Sequence, residues 1–493
     1  MQFIHSLAPA YAEIFLLCAL CAILLIDLFL TDEQRGLTYV LSLLTLLGCF
    51  LITAFADPVN DVEPFSDMLV TDPLASVQKL CIYVSVAVVL VYSQTYIRAR
   101  SMLRDEFFVF ALFATLGMLV MVSGASMLTL YLGLELLSLS LYAMIALQRD
   151  STQATEAAMK YFVLGALASG MLLYGMSMLY GATGTLDLDV MSEVISGGEA
   201  DMTILAFALV FIVAGLGFKL SAVPFHMWVP DVYQGAPTAV TLLVAGAPKL
   251  AAFAITIRLL VEGLINVATD WQQMLLILAV ASMTLGNLAA IAQTNLKRML
   301  AYSGIAQLGF MLLGFVPSVV SGNTVSAGNG YGSALFYVLT YVLTTLGTFG
   351  LIMVLSRPGF ESEQVSDLAG LNKRSPMLAG AMAVFMFSLA GIPPTVGFYA
   401  KLAVLQALIT TNSPLLMQIS ILAVVLSLVG AFYYLRVIKV MYFDSPITAT
   451  SVTARKDVRV VLSINGAMVL ILGLMPGGLM GLCASAIVQS LGT

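Results

Sequence analysis

Fourteen runs of about twenty mostly apolar residues follow one another along this chain, each long enough to cross a bilayer as a helix. They lie near 10–30, 37–56, 74–97, 107–123, 126–147, 155–181, 203–236, 238–261, 271–294, 297–316, 331–355, 377–411, 415–442 and 459–487. Backbone polar groups cannot go unpaired in lipid, so repeated apolar runs of this length dictate an all-α polytopic membrane fold. The seventh and twelfth runs, 203–236 and 377–411, are too long for one straight crossing. Each carries a proline interruption, "SAVPFHMWVP" with Pro224 and "AGIPPTVGF" with Pro393 and Pro394, and reads as a discontinuous helix.

Charge decides the orientation. Only 10% of the residues are charged, against about 25% in a soluble domain, so each basic residue carries topological information. Connections after odd-numbered runs, with their flanks, hold Arg35, Arg98, Arg100, Arg104, Arg149, Lys297, Arg298, Arg357, Lys373, Arg374, Arg436, Lys439, Arg455, Lys456 and Arg459. Connections after even runs hold only Lys79 and Arg258, at span edges. Basic residues stay on the cytoplasmic side, so both termini are expected on the opposite side, and the span count must be even. The amino terminus has no basic region or cleavage motif and reads as a mature span, and the acidic segments 57–73 and 186–201 read as linkers. The net charge of −6, spread over two membrane faces, gives no reason to expect nucleic acid as a partner.

Four lysines and a glutamate fall inside the spans: Lys160, Lys219, Lys249, Lys401 and Glu135. A charge at a helix centre costs roughly 2.5–3.5 kcal/mol on insertion scales, so these positions mark function unless the side chain reaches the interface. Lys160, with Glu156 one turn before it, is the one best placed to reach water. Burial disfavours a charged ammonium and a neighbouring carboxylate restores it, so a movable carboxylate can load and unload a lysine. The prolines near Lys219 and Lys401 free backbone groups and make room for water at the same depth. His226, beside Pro224, adds an imidazole that titrates near neutral pH. The cysteines Cys18, Cys21, Cys49, Cys81 and Cys483 all lie in apolar runs, and the C-x-x-C at 18–21, lacking a second pair, reads as core packing rather than a metal site.

The segments "KLSAVPFHMWVPDVYQGAPTAVT" from 219, "NLKRMLAYSGIAQLGF" from 295 and "GIPPTVGFYAK" from 391 resemble the antiporter-like proton-pumping subunits of respiratory complex I, NADH:quinone oxidoreductase, over essentially the whole chain. The resemblance implies that Glu135 pairs with Lys219, that Lys249 is a central relay, that Lys401 ends the half-channel and that Lys160 lies toward a neighbouring pump. It also implies inverted repeats over 107–261 (spans four to eight) and 271–442 (nine to thirteen). The three N-terminal helices, with the start of the first repeat, would make up 1–123, and a C-terminal helix 459–493. Tyr302, Ser303 and Gln307 are expected to hydrate the tenth span. Gln307 stands where many relatives place a histidine, and an amide binds water without titrating. FMN, iron–sulfur clusters and quinone are implied in partner subunits, with no cofactor or metal site in this chain. The implied setting is a bacterial inner membrane, with the lipid bilayer and other membrane subunits as partners.

Other readings share these motifs. A stand-alone cation/proton antiporter or a subunit of a membrane-bound hydrogenase would carry the same fold, although sodium prefers oxygen ligands and the spans offer one deep carboxylate against four lysines. A structural anchor with vestigial charges predicts that the lysines are replaceable. A redox enzyme in its own right lacks any dinucleotide fingerprint or P-loop: "GALASG" at 165–170 reads as small-residue helix packing.

Overall fold

A computed structural model of the chain describes residues 10–31, 34, 36–55, 68–100, 106–317, 324–357, 359–446 and 455–491, with side chains from 329 onward in the helix Thr324–Leu355. Arg35, Arg104, the amino-terminal nine residues, most of the acidic linker 57–73 and the two C-terminal residues lie outside the described residues.

The described residues form helices without a strand. Eleven are long and apolar enough to cross a membrane, and Pro376–Ala390, Val396–Ile409 and Gly477–Leu491 are shorter apolar helices. Side-chain caps start many of them: Asp72 ahead of Pro73, then Ser126, Ser151, Asp187, Asp201 and Asn295 each accept a first-turn backbone N–H. Connections pair on two separate faces. Bridges join Leu69 to Gly124 and Ser126 to Asp187, all after even-numbered runs, whereas Asn295 pairs with Gln364, both after odd ones.

With no water to drive apolar surfaces together, helices in lipid associate by close packing, which small residues permit. A Cβ on Gly117 would sit 2.7 Å from Gly133 O, so Glu106–Ser123 and Met127–Ile145 touch backbone to backbone. The same contact recurs between Ala268–Ala292 and Leu296–Leu313, where a Cβ on Gly286 would meet Tyr302 O at 2.8 Å.

The helices break in more places than the proline pattern indicates. Met202–Lys219 stops and Trp228–Gly235 resumes, while Pro376–Ala390 stops and Val396–Ile409 resumes. Cis peptides occur at Val223–Pro224 and Pro393–Pro394. The eighth run, read as continuous, divides at Gly246 into Thr238–Ala245 and Pro248–Thr256, then widens into a π-helix over Ile257–Gly263. Pro248 lacks the N–H that would continue the ladder. The fourteenth run, also read as one element, splits into Lys456–Leu474 and Gly477–Leu491 around Pro476. The linker 186–201 contains an amphipathic helix, Leu188–Ser196, capped by Asp187.

Lys297, read as a topology anchor, and Lys79 and Arg258, read as lying at span edges, are all buried. Lys79, 4% exposed, pairs with Glu13 at 2.6 Å. Arg258, 2% exposed, grips both oxygens of Asp72 at 2.9 Å and also pairs with Glu262. Lys297 donates to Ala236 O and Glu363, each at 2.9 Å. A buried charge is costly unless paired, and each of these has an ion-pair partner. Cys18 and Cys21 depart from expectation too: both lie on the exposed face of their helix rather than in the core.

Candidate functional site

The deep lysines gather at the helix breaks. The last four carbonyls of a helix lack intrahelical partners, and inside a membrane something else must donate to them. Lys249, the second residue of the helix that begins at Pro248, sends its ammonium to Lys219 O at 3.3 Å and Ser221 Oγ at 2.7 Å. It also lies 5.3 Å from the centre of the Trp228 ring. Lys401 reaches back to the end of Pro376–Ala390, donating to Leu389 O and Ala390 O at 3.1 Å each and to Ser427 Oγ at 2.8 Å. Gly391, in the left-handed region at φ 81°, makes this possible: a Cβ there would sit 2.9 Å from Lys401 Cδ.

Lys219 turns the other way. Its ammonium donates to Ser138 Oγ at 2.7 Å and Ser169 Oγ at 3.4 Å. Glu135 makes no ion pair among the described residues, and its Oε1 is buried without a hydrogen-bond partner there. Ser138 lies three residues after Glu135 on Met127–Ile145, on the same helix face, so the Lys219 ammonium is docked about one turn from the carboxylate.

A second polar chain surrounds Gln307. Its amide donates to Leu389 O at 2.8 Å, the carbonyl that Lys401 also uses, and to Tyr434 Oη at 3.0 Å, while Tyr337 donates to its Oε1. Ser303 and Tyr434 share a hydrogen bond. Tyr302 does not join this chain; its ring lies 6.0 Å from the Arg298 guanidinium. A cavity of about 10 Å³ beside Gln307, lined also by Thr340, Thr344 and Ser388, has room for about one water. The hydrogen bonds of Lys249 end at the 219–221 loop and those of the second chain begin at Gln307, with none joining the two among the described residues.

His226 is half-buried, with Nδ1 buried and lacking a hydrogen-bond partner among the described residues. Pro224, Pro393 and Pro394 point outward from the breaks. Lys160 keeps 43% of its side chain exposed and pairs with Glu156 and Asp231, each at 2.8 Å. Asp231 also takes Arg298 at 2.7 Å, and these residues line a polar cavity of about 200 Å³ with Gln153 and Gln234. Sequence reasoning missed this cluster: Asp231 and Arg298 resemble ordinary solvated charges, and only the sequence distance between partners, 67 residues, hid their pairing. No group of three or more His, Cys, Asp or Glu side chains able to hold a metal ion occurs among the described residues.

Residues 124–427 match a family profile described as NADH:quinone oxidoreductase/Mrp antiporter, transmembrane. NADH-quinone oxidoreductase subunit N of Herminiimonas arsenicoxydans is 59% identical over 491 residues, 99% of each chain. Among solved structures, a chain of respiratory complex I from Thermus thermophilus with bound aureothin superposes with a TM-score of 0.80 at 32% identity, covering 96% of this chain and 99% of that one. A chain of the membrane-bound sulfane sulfur reductase, an archaeal respiratory membrane complex, shares the fold at a TM-score of 0.85 and 22% identity, covering 98% of each chain.

Proposed function

This chain belongs to the NADH:quinone oxidoreductase/Mrp antiporter family of membrane subunits, and from that premise we propose that its buried lysines carry protons across the membrane. It is a multi-pass inner-membrane subunit of NADH:quinone oxidoreductase, assembled with other membrane subunits, and its task is proton translocation. NADH oxidation, FMN, the iron–sulfur clusters and quinone reduction are assigned to partner subunits.

One observation carries the lysine assignment: the Lys249 and Lys401 ammonium groups sit on carbonyls freed by a helix break, with hydroxyls beside them, and Lys219 sits on hydroxyls. Such a site holds a proton by hydrogen bonds rather than by a fixed counter-ion, so the proton can leave. Lys219 loads when its ammonium exchanges Ser138 for Glu135, one turn along the same helix face, and unloads when it returns. Lys249 takes up the next position through the Lys219 carbonyl and Ser221, and the repulsion between two ammonium groups disfavours loading both at once. Lys401, with Gln307 on the same carbonyl, forms the far station. We read 107–261 and 271–442 as two repeats, supported by the matching breaks and glycine contacts five spans apart.

The test is NADH-driven proton pumping in proteoliposomes, normalised to assembled complex and to electron transfer. Glu135→Gln and Lys219→Ala should each reduce it, the double variant should be little worse than either, and Glu135→Asp should retain part, because groups acting as one unit are not additive. Full pumping in both single variants overturns the pair as the switch. Orientation rests on the basic-residue count, which puts both termini on the periplasmic side. Cysteines placed near Glu199 should react with an impermeant label added outside; labelling only from the cytoplasm reverses the orientation.

A further inference from the structure

The short helix Trp228–Gly235 is gripped at two places one turn apart. Asp231 is held by Lys160 from Thr152–Thr183 and by Arg298 from Leu296–Leu313, at 2.8 and 2.7 Å. Arg298 also donates to Gln234 at 3.1 Å. Three residues before Asp231, Trp228 stacks on Tyr161, the neighbour of Lys160, with ring centres 4.5 Å apart, and on Phe218 at 5.4 Å. Its indole N–H donates to Phe218 O at 3.1 Å, and its ring stands 5.3 Å from the Lys249 ammonium. Adjacent residues of one long helix thus grip both ends of a single helical turn: Lys160 takes the carboxylate and Tyr161 the indole.

From this arrangement we infer that Trp228–Gly235 is a lever, its ion-pair end at Asp231 setting where its aromatic end, Trp228, lies against Lys249. Three properties make it one. A helix of eight residues is stiff along its own axis, and the turn segment 220–227 before it and the bend at Ala236 after it set it off from the helices on either side in the chain. Its polar end faces the polar cavity of about 200 Å³, where the carboxylate holds two cations carried by different helices, one on each oxygen. Its other end supplies an aromatic face to an ammonium, an attraction that depends on ring position. Asp231 and Trp228 are therefore positioning residues. Arg298 ties the lever to a helix that also bears Gln307, so a change at either lysine region is felt at Asp231.

This inference rests on the lysine-row reading, and the experiment separates the two. Complex carrying Asp231→Asn, Trp228→Leu or both is reconstituted, and protons moved per NADH oxidised are measured with Lys249→Ala in parallel. Each single variant should lower the ratio about two- to fivefold, the range set by losing one exposed ion pair or ring contact, and the double should be no lower than the worse single. Asp231→Glu and Trp228→Phe, which keep the carboxylate and the ring, should recover most of it. Independent, multiplying losses, or a wild-type ratio in Asp231→Asn, overturn the lever while leaving the lysine row intact. Normal pumping in Lys249→Ala overturns both. If Asp231→Asn does not assemble, Arg298→Gln, which removes one of the two grips, is paired with Trp228→Leu instead. The same non-additivity supports the lever, and multiplying losses reject it.

Discussion

Met202–Lys219 and Pro376–Ala390 end alike, each leaving its last carbonyl without a helical partner, yet the ammonium that takes that carbonyl comes from different places. At the first break it is Lys249, thirty residues on and in the following run, which takes Lys219 O. At the second it is Lys401, eleven residues on and in the resumed half of the same run, which takes Ala390 O. Counted from the prolines, Lys219 and Lys401 look like mismatched counterparts. Counted from the carbonyls, Lys401 corresponds to Lys249, and Lys219 is an additional group that the second region lacks. The physical requirement repeated in the two regions is a donor on a freed carbonyl at membrane depth, and the sequence position that supplies it is free to change.

The largest expected effect separates capping from proton release. Lys249→Arg and Lys401→Arg keep a buried cation able to donate to the freed carbonyls, but a guanidinium does not give up its proton. Both variants should assemble while pumping falls by on the order of tenfold or more, the scale on which proton-transfer groups contribute. Full pumping in Lys401→Arg alone would make Lys401 a cap and break the correspondence with Lys249. A smaller effect is expected at Gln307, which only the second region possesses. Gln307→Leu strands the Tyr337 hydroxyl and leaves Leu389 O to Lys401 alone, costing about 1–3 kcal/mol in thermal unfolding of the complex and part of the pumping. Gln307→His keeps a ring N–H and should be tolerated; loss of pumping in that variant would mean the surrounding space cannot take an imidazole.

The number and order of apolar runs were legible because a bilayer imposes a length on every crossing. The deep lysines were legible because their insertion cost is read directly from hydropathy. What escaped was pairing at long range. Glu13 with Lys79 and Asp72 with Arg258 are ion pairs between different helices, and in isolation each member looks like an interfacial charge. Asp231 escaped for the same reason. The break at Gly246 escaped because Ala247 and Pro248 stand within an unbroken apolar run, where hydropathy does not register a lost N–H. The docking of Lys219 on Ser138 rather than Glu135 is set by the facing of three helices, which period and composition do not specify.

The ion pair of Arg258 with Asp72 has a consequence for how the polypeptide is made. Its members are 186 residues apart, and a ribosome adding about 5–20 residues per second delivers the second roughly 10–40 s after the first. Throughout that interval Asp72, the cap of Pro73–Ala99, is without its guanidinium partner. The tie between the start of Pro73–Ala99 and the eighth run therefore forms late, only after Arg258 has emerged.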